Sequence, residues 1–331
     1  MSERTLLNEL TGAVIAWFSA RAERFGLRAK AIEARYILNW GGFVNTSFTI
    51  TDGETSYHLK LADDEGSRSG LENWRGLHEL LSQEYHAPRM LDWIEISGTG
   101  FAGPLFENIR GEPFNLIEQP NLRRGILDLL LRLHGDSNLA ALLADADGRK
   151  PNCSEYFIGV YIERFDEDLC IVAENLPPFV SLTLLDWMRG ETRKLESLAR
   201  ERSVFHLPAD SPTHGDLWAS NILVAPDERW YIIDWDDLAL GDPALEYAIF
   251  LGPLWRNGIL SSGEVESLLP ANAALRERFR LCLRAYLLDQ VIDTLADWVE
   301  SAFAPEHQDQ VRAGKELAHR EALDLYRKSY A

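Results

Sequence analysis

Residues 213–234 place polar side chains at the ends of two short apolar runs. His214, Asp216 and Asn221 lie in THGDLWASN, which leads directly into ILV, and the run YII ends at Asp234. Two apolar runs separated by a turn are typical of paired strands, which would carry Asn221 and Asp234 to the same end. An amide and a carboxylate are oxygen ligands that suit Mg²⁺, and Asp216 is a carboxylate able to accept a proton. These spacings predict one shared metal site close to a general base.

The chain changes its hydrophobic period near Arg110 and Gly111. Before this point, alternating runs predict five antiparallel strands, with one amphipathic helix at the N-terminus and another at Ser69–Ser82. The strand segments are ARYILNW, TSFTI, SYHLKLA, PRMLDWIEIS and GPLFENI. After it, helical spacing dominates. The predicted fold is therefore α+β, with a sheet lobe over residues 1–110 and a larger, mainly helical lobe over 111–331.

Three positions in the second lobe have structural interpretations. Asp242 precedes Pro243 and is expected to cap the helix that begins there. His134 ends LLLRLH and is expected to be a packing residue at a helix terminus, and Trp218 is expected to shape the loop around Asp216.

Composition excludes several classes of function. The 331 residues, 46% of them hydrophobic, suit about two globular domains. The net charge of -19 argues against a nucleic-acid partner. No apolar run approaches the roughly 18 residues of a membrane helix, and three widely spaced cysteines fit neither a disulfide framework nor a zinc site. We expect a cytoplasmic protein without a membrane partner, either a monomer or a homodimer.

The motifs HGDLWASN, IIDWDD and GDP resemble those of the aminoglycoside phosphotransferase and choline kinase family. These small-molecule kinases have the bilobal protein-kinase fold. The resemblance implies that Asp216 is the catalytic base, that His214 orders the catalytic loop, and that Asn221 and Asp234 bind magnesium. This sequence departs from the family pattern at Ser220, where glycine or proline is frequent, and at Glu246, where aspartate is usual. Neither departure removes a metal ligand.

The same resemblance implies a nucleotide site in the sheet lobe. A kinase needs a lysine on the third strand to hold the phosphates and a helix glutamate to fix that lysine. Lys60 in YHLKLA has the expected place, and Glu72 is the best partner, with Glu79 and Glu65 as alternatives. Two further segments are expected to contact the nucleotide, which is ATP or alternatively GTP: the phosphate-covering turn with Gly41, Gly42 and Asn45, and the adenine-binding hinge from Glu107 to Ile109.

The segment after Asp234 favours a small acceptor over a protein. Only seven residues separate Asp234 from Asp242, too few for a peptide-docking segment, and Trp218 stands where protein kinases commonly have lysine. Two other classes remain open. A metal-dependent hydrolase would need more histidines near the motifs, and a catalytically silent nucleotide sensor would usually have lost the base or a metal ligand. A kinase for a neutral sugar is a further alternative.

Charge distribution suggests that the acceptor is cationic. Residues 1–110 carry 11 Lys+Arg and 15 Asp+Glu, whereas residues 111–331 carry 22 and 37. Asp289, Asp293 and Asp297 recur every four residues and share one helix face, which is either a solvated acidic face or part of an acceptor cleft. Additional candidates for acceptor contacts lie close behind Asp234. They are Asp236, Asp237 and Glu246.

Overall fold

The computed structural model describes residues 3–37, 45–147, 151–301 and 308–330. The chain forms two compact units, Met1–Asn115 with Ala219–Leu238, and Leu116–Trp218 with Ala239–Ala331. This grouping differs from the division at residues 110 and 111 because the segment 219–238 packs with the first unit. The functional division into two lobes stays a prediction.

The first unit contains a five-stranded antiparallel sheet with the strand order β1-β2-β3-β5-β4. Its strands are β1 (Glu33–Ile37), β2 (Thr46–Thr51), β3 (Ser56–Leu61), β4 (Met90–Glu95) and β5 (Ala102–Glu107). Helix α1 (Glu3–Ser19) precedes them, and α2 (Glu65–Glu84) connects β3 to β4. The predicted sheet and its interposed helix are confirmed.

Alternation along β3 separates the core from the polar face. Leu59 and Leu61 are fully buried and pack in one cluster with Val14 and Phe18 of α1. Successive side chains of a strand point to opposite faces, so Lys60 lies on the other face. Asp64 caps the N-terminus of helix α2, and its side chain accepts a hydrogen bond from the Ser67 N–H at 2.9 Å.

A second, three-stranded sheet completes the first unit. It joins β6 (Glu112–Pro113) to the hairpin of β8 (Ile222–Val224) and β9 (Trp230–Ile232). The apolar runs after Asn221 and before Asp234 are thus paired strands, as predicted.

The second unit is mainly helical. It contains one short antiparallel pair, β7 (Ser211–Thr213) with β10 (Ala239–Gly241), and β7 directly precedes His214. The helices are α3 (Pro120–His134), α4 (Ser137–Asp147), α5 (Cys153–Phe157), α6 (Glu163–Glu174), α7 (Leu182–Glu201), α8 (Pro243–Arg256), α9 (Ser262–Ser267), α10 (Ala273–Glu300) and α11 (Gln308–Tyr330). Among the described residues, no helix is long and apolar enough to cross a membrane.

The start of α8 is held by a buried ion pair. The Asp242 side chain accepts from the Ala244 N–H at 3.0 Å, and the Arg278 guanidinium of α10 donates to both carboxylate oxygens of Asp242. Pro243 follows at the first helical position, where its missing N–H removes no helix bond. The predicted cap at Asp242 is therefore present.

Candidate active site

Lys60 is the buried cation of the first unit's polar face. Its side chain is 9% exposed, and its Nζ lies 2.7 Å from Asp236 Oδ1 and 3.2 Å from Asp234 Oδ1. Burial alone would lower the pKa of Lys60, but the attraction of the two carboxylates outweighs it and raises the pKa. The ammonium group is therefore charged, and it faces the segment that carries the predicted metal ligand.

The prediction that Glu72 of the following helix contacts Lys60 is wrong. Glu72 is exposed on α2, and the carboxylates that contact Lys60 come from the turn after β9 instead. The alternatives Glu65 and Glu79 are exposed as well. Glu72 lines a surface cavity with Arg68 and Trp93.

The hairpin β8–β9 brings Asn221 and Asp234 to one end. Ile222 pairs with Ile232, and the Ile233 N–H donates to the Asn221 carbonyl at 2.9 Å. Asp234 has a left-handed backbone, with φ of 62°, which costs a non-glycine residue about 1–2 kcal/mol. Its side chain is 34% exposed, so a ligand can reach it. Strain at an accessible carboxylate is consistent with a functional site.

The donor chemistry at this end of the hairpin fits Mg²⁺. Magnesium is commonly bound by one or two protein carboxylates, with phosphate oxygens and waters completing the shell. Asn221 and Asp234 offer an amide oxygen and a carboxylate of this kind. Within the described ranges, no group of three or more His, Cys, Asp and Glu side chains could hold a metal ion by itself. Asn221 and Asp234 would supply two oxygen ligands of such a site, with phosphate oxygens and water supplying the others.

His58 is a polar group that sequence reasoning missed. It lies on β3 two residues before Lys60 and hence on the same face, where its ring is 6.4 Å from that of Phe106. Burial lowers the pKa of His58 to about 4, the repulsion of Lys60 lowers it further, and Asp234 partly offsets both. The imidazole is thus neutral at pH 7. Strand alternation from Lys60 was the signal that could have identified it.

The expected nucleotide-contacting residues have different placements. The Asn45 Nδ2 donates to Asp236 Oδ2 at 2.8 Å, while Gly41 and Gly42 lie outside the described residues. The Glu107 N–H donates to the Arg89 carbonyl at 3.0 Å, and the expected contact of the Glu107 backbone with the base stays a prediction. Ile109 is partly buried, and its expected contact stays a prediction.

The second unit holds the loop around Asp216. His214 is fully buried, and its backbone N–H donates to Glu246 Oε1 at 2.6 Å. The same oxygen accepts from the backbone N–H of Gly215 at 3.3 Å. The Asp216 N–H donates to His214 Nδ1 at 3.3 Å. These bonds fix the backbone on both sides of Gly215 and leave Asp216 partly exposed. His214 is placed where it can order the loop.

Glu246 supports this loop rather than contacting an acceptor. It is 2% exposed, and its Oε2 lies 2.5 Å from the Nε2 of His134. The His134 ring also packs edge-on against Tyr247, with ring centroids 5.0 Å apart. The predicted acceptor contact of Glu246 is wrong because both carboxylate oxygens are enclosed by these partners. His134 belongs to the same hydrogen-bonded group and is more than a packing residue.

Glu246→Ala should destabilise the intact chain by about 2–5 kcal/mol, because buried backbone donors at His214 and Gly215 lose their acceptor. Urea denaturation followed by tryptophan fluorescence measures this loss. The matched control is Glu196→Ala, which removes a surface pair with Arg200 that is worth about 1 kcal/mol or less. Equal losses for the two variants would contradict the supporting role of Glu246.

A family model described as the phosphotransferase enzyme family (APH) matches residues 36–281. The chain belongs to this phosphotransferase family. The matched region contains β3, the hairpin β8–β9 and the loop around Asp216. The resemblance to aminoglycoside phosphotransferases and choline kinases is therefore confirmed.

Solved structures show that this phosphotransferase has the protein-kinase-like fold. Plasmodium vivax ethanolamine kinase is 16% identical, with a TM-score of 0.54 over 90% of this chain and 82% of that chain. APH(2")-IIia, in complex with GDP and kanamycin, is 15% identical, with a TM-score of 0.58 over 88% and 93%. Choline kinase LicA from Streptococcus pneumoniae is 15% identical, with a TM-score of 0.50 over 88% and 94%. No curated protein sequence matches the chain.

The acidic stripe of the phosphotransferase's α10 is only partly available to an acceptor. Asp289 is 3% exposed and forms an ion pair with Arg164 of α6, so its predicted acceptor contact is wrong. Asp297 pairs with Lys315 of α11. Asp293 is partly buried, and burial together with the repulsion of Asp297 raises its pKa. The sequence pattern did not reveal these cations because they come from other helices.

A second carboxylate, Asp168 of α6, accompanies Asp293. Burial and the repulsion of Asp293 raise the pKa of Asp168 to about 7, with Arg164 partly offsetting them and Glu300 and Asp297 adding to them. The repulsion between these two carboxylates favours protonation of one of them. The exposed Asp237 was predicted to contact the acceptor, and its role stays a prediction.

Proposed function

We propose that this phosphotransferase moves the γ-phosphate of ATP, or alternatively GTP, to a hydroxyl group of a small molecule, with Mg²⁺ as cofactor. The observation that carries the proposal is the contact of Lys60 with Asp234 at the end of the hairpin that also presents Asn221. A buried ammonium group beside two metal-type ligands is an arrangement suited to a magnesium-bound polyphosphate.

Each residue then has one role. Lys60 binds the phosphates, and Asn221 and Asp234 hold magnesium, which supplies positive charge to the phosphate oxygens when bound. Asp216 orients the acceptor hydroxyl and takes its proton. His214 and Glu246 keep the backbone of the Asp216 loop in place. Most of the rate enhancement comes from positioning and electrostatics, since phosphoryl transfer needs little covalent help from the protein.

The chain after Asp234 supports a small acceptor. The short helical turn Trp235–Asp237 leads into β10, which pairs with β7, and α8 begins at Pro243. This segment is therefore taken up by regular structure and leaves little chain for a peptide-binding surface.

The three free cysteines, two of them buried, support a cytoplasmic location. A monomer and a homodimer are both compatible with this function.

A cationic acceptor is supported by the carboxylates of Asp168 and Asp293 in the second unit. An ammonium group bound there would reduce the repulsion between them, and it would bind best when Asp168 has lost its proton. Because the pKa of Asp168 is raised to about 7, the KM for an acceptor with a permanently protonated amine should fall as pH rises from about 6 to about 8.

The measurement is KM for that acceptor across this pH range, in the wild type, in Asp168→Asn and in the control Asp166→Asn, which alters an exposed carboxylate of the same helix. We expect the pH dependence to vanish only in Asp168→Asn. A neutral acceptor used best, with a KM that ignores both pH and Asp168, would contradict the cationic class while leaving the kinase activity intact.

The test of the function itself is a phosphotransfer assay over a panel of aminoglycosides, choline-like amines, amino alcohols, amino sugars and neutral sugars. Each acceptor is tried with MgATP and with MgGTP. Formation of a phosphorylated product from at least one hydroxyl compound is expected. Binding of nucleotide without transfer to any class would favour a nucleotide-binding role for this fold.

A further inference from the structure

Asp236 engages two separate parts of the first unit with its two carboxylate oxygens. Oδ1 lies 2.7 Å from the Lys60 Nζ, and Oδ2 accepts from the Asn45 Nδ2 at 2.8 Å. The contact with Lys60 is shorter than the 3.2 Å contact between Lys60 and Asp234. Asp236 is 14% exposed, so it lies in surroundings where a charge-assisted hydrogen bond is stronger than at the surface.

The backbone of Asp236 is held in place by α2. A Cβ added at Gly70 would lie 2.5 Å from the Asp236 carbonyl oxygen, so the helix approaches this turn as closely as a glycine allows. Neighbouring Trp235 is fully buried and donates its Nε1–H to the Ile232 carbonyl at 2.7 Å. The Asp236 carboxylate therefore belongs to a turn whose backbone packs against α2.

Lys60 needs a carboxylate that is not shared with the metal. Asp234 is proposed to bind Mg²⁺ and would then be less available to Lys60. The helix glutamate expected to fix the lysine, Glu72, is exposed on α2, and in the part of the chain that the structure describes Lys60 contacts Asp234 and Asp236 instead. A buried ammonium group without a counter-charge is strongly unfavourable. Asp236 supplies this counter-charge to Lys60 and leaves Asp234 available for the metal.

We propose that Asp236 is the positioning residue of the nucleotide site: it fixes the ammonium group of Lys60 for the phosphates, while its other carboxylate oxygen is held by Asn45. This role rests on the proposed kinase function. In this chain the turn after β9 thus performs the part expected of the helix glutamate.

The direction in which nucleotide affinity changes when the Asp236 charge is removed shows whether Asp236 positions Lys60 or is only a nearby negative charge. Removing a negative charge beside bound phosphates should tighten nucleotide binding if Asp236 is only an acidic neighbour. Losing the group that orients Lys60 should weaken it. Calorimetry of ADP in the presence of EDTA measures this without the metal, and steady-state kinetics separates KM for ATP from kcat.

We expect Asp236→Asn to weaken ADP binding by about tenfold or more and to raise the KM for ATP by a similar factor, with a smaller change in kcat. The control Asp227→Asn alters a carboxylate in the exposed turn between β8 and β9 and should bind ADP like the wild type. Glu72→Gln tests the rival partner, and thermal denaturation confirms that each variant is folded.

A double-mutant cycle shows whether Asp236 acts through Lys60. In a Lys60→Met background, Asp236→Asn should have much less effect on ADP binding than in the wild type. Equal or tighter binding by Asp236→Asn alone, or a weakening that follows Glu72→Gln instead, would overturn the inference. Failure of the wild type to bind ADP at all would instead count against the proposed function.

Discussion

Replacing Asp216 by asparagine should lower kcat by about 10²-fold or more while the affinity for nucleotide stays near that of the wild type. The amide cannot take the proton of the acceptor hydroxyl. The loop itself should persist, because the backbone N–H groups of His214, Gly215 and Asp216 make hydrogen bonds that the substitution leaves in place.

The control for this variant is Asp210→Asn, an exposed carboxylate just before β7. It should leave kcat within about twofold of the wild type, as expected for a surface substitution away from the site. Nucleotide binding is measured by calorimetry on all three proteins. An Asp216→Asn enzyme with undiminished turnover would mean that another group takes the proton.

Asp234→Ala should remove the part of nucleotide binding that depends on Mg²⁺. In the wild type, we expect ADP or a non-hydrolysable ATP analogue to bind at least about tenfold more tightly with Mg²⁺ than with EDTA, since metal ligands commonly contribute this much or more. In the variant the two affinities should coincide. Lys60 also loses one of its two carboxylate partners, so binding in EDTA reports that separate effect.

The contrasting variant is Asp236→Asn, which is expected to weaken binding in EDTA and to keep the Mg²⁺ enhancement. Together the two variants assign the metal and the lysine to different carboxylates of one turn. A full Mg²⁺ enhancement in Asp234→Ala would reassign Asp234 to a structural role.

Local patterns predicted the elements that carry the site. The strands of the sheet follow from alternation of apolar residues, and the hairpin that presents Asn221 and Asp234 follows from two apolar runs around a turn. The helix cap at Asp242 follows from the proline behind it. In each case, neighbouring residues in the sequence contain the information.

Contacts between distant segments could not be predicted in this way. Lys60 and Asp236 are 176 positions apart, and the turn that carries Asp236 lies against α2 at Gly70. His134 and Glu246 are 112 positions apart and meet only after the second unit has folded. The local sequence therefore predicted Glu72, a carboxylate on the nearest helix, whereas the structure pairs Lys60 with Asp236.

The stripe on α10 illustrates the same limit for charge. Its four-residue spacing correctly predicted a shared helix face, but not which carboxylates have cationic partners. Arg164 of α6 and Lys315 of α11 form ion pairs with Asp289 and Asp297, whereas the carboxylates of Asp293 and Asp168 repel each other. The charge of one helix face is decided by the elements packed against it.

The most direct test of the kinase account is the stoichiometry of phosphotransfer with an acceptor from the panel. Wild-type protein is incubated with MgATP, and both ADP and phosphorylated acceptor are quantified by mass spectrometry. We expect one phosphorylated acceptor for each ADP formed, and both products to fall together in Asp216→Asn. Release of ADP with free phosphate and no phosphorylated acceptor, at a rate unchanged in Asp216→Asn, would contradict the assignment of this chain as a small-molecule kinase with Asp216 as its base.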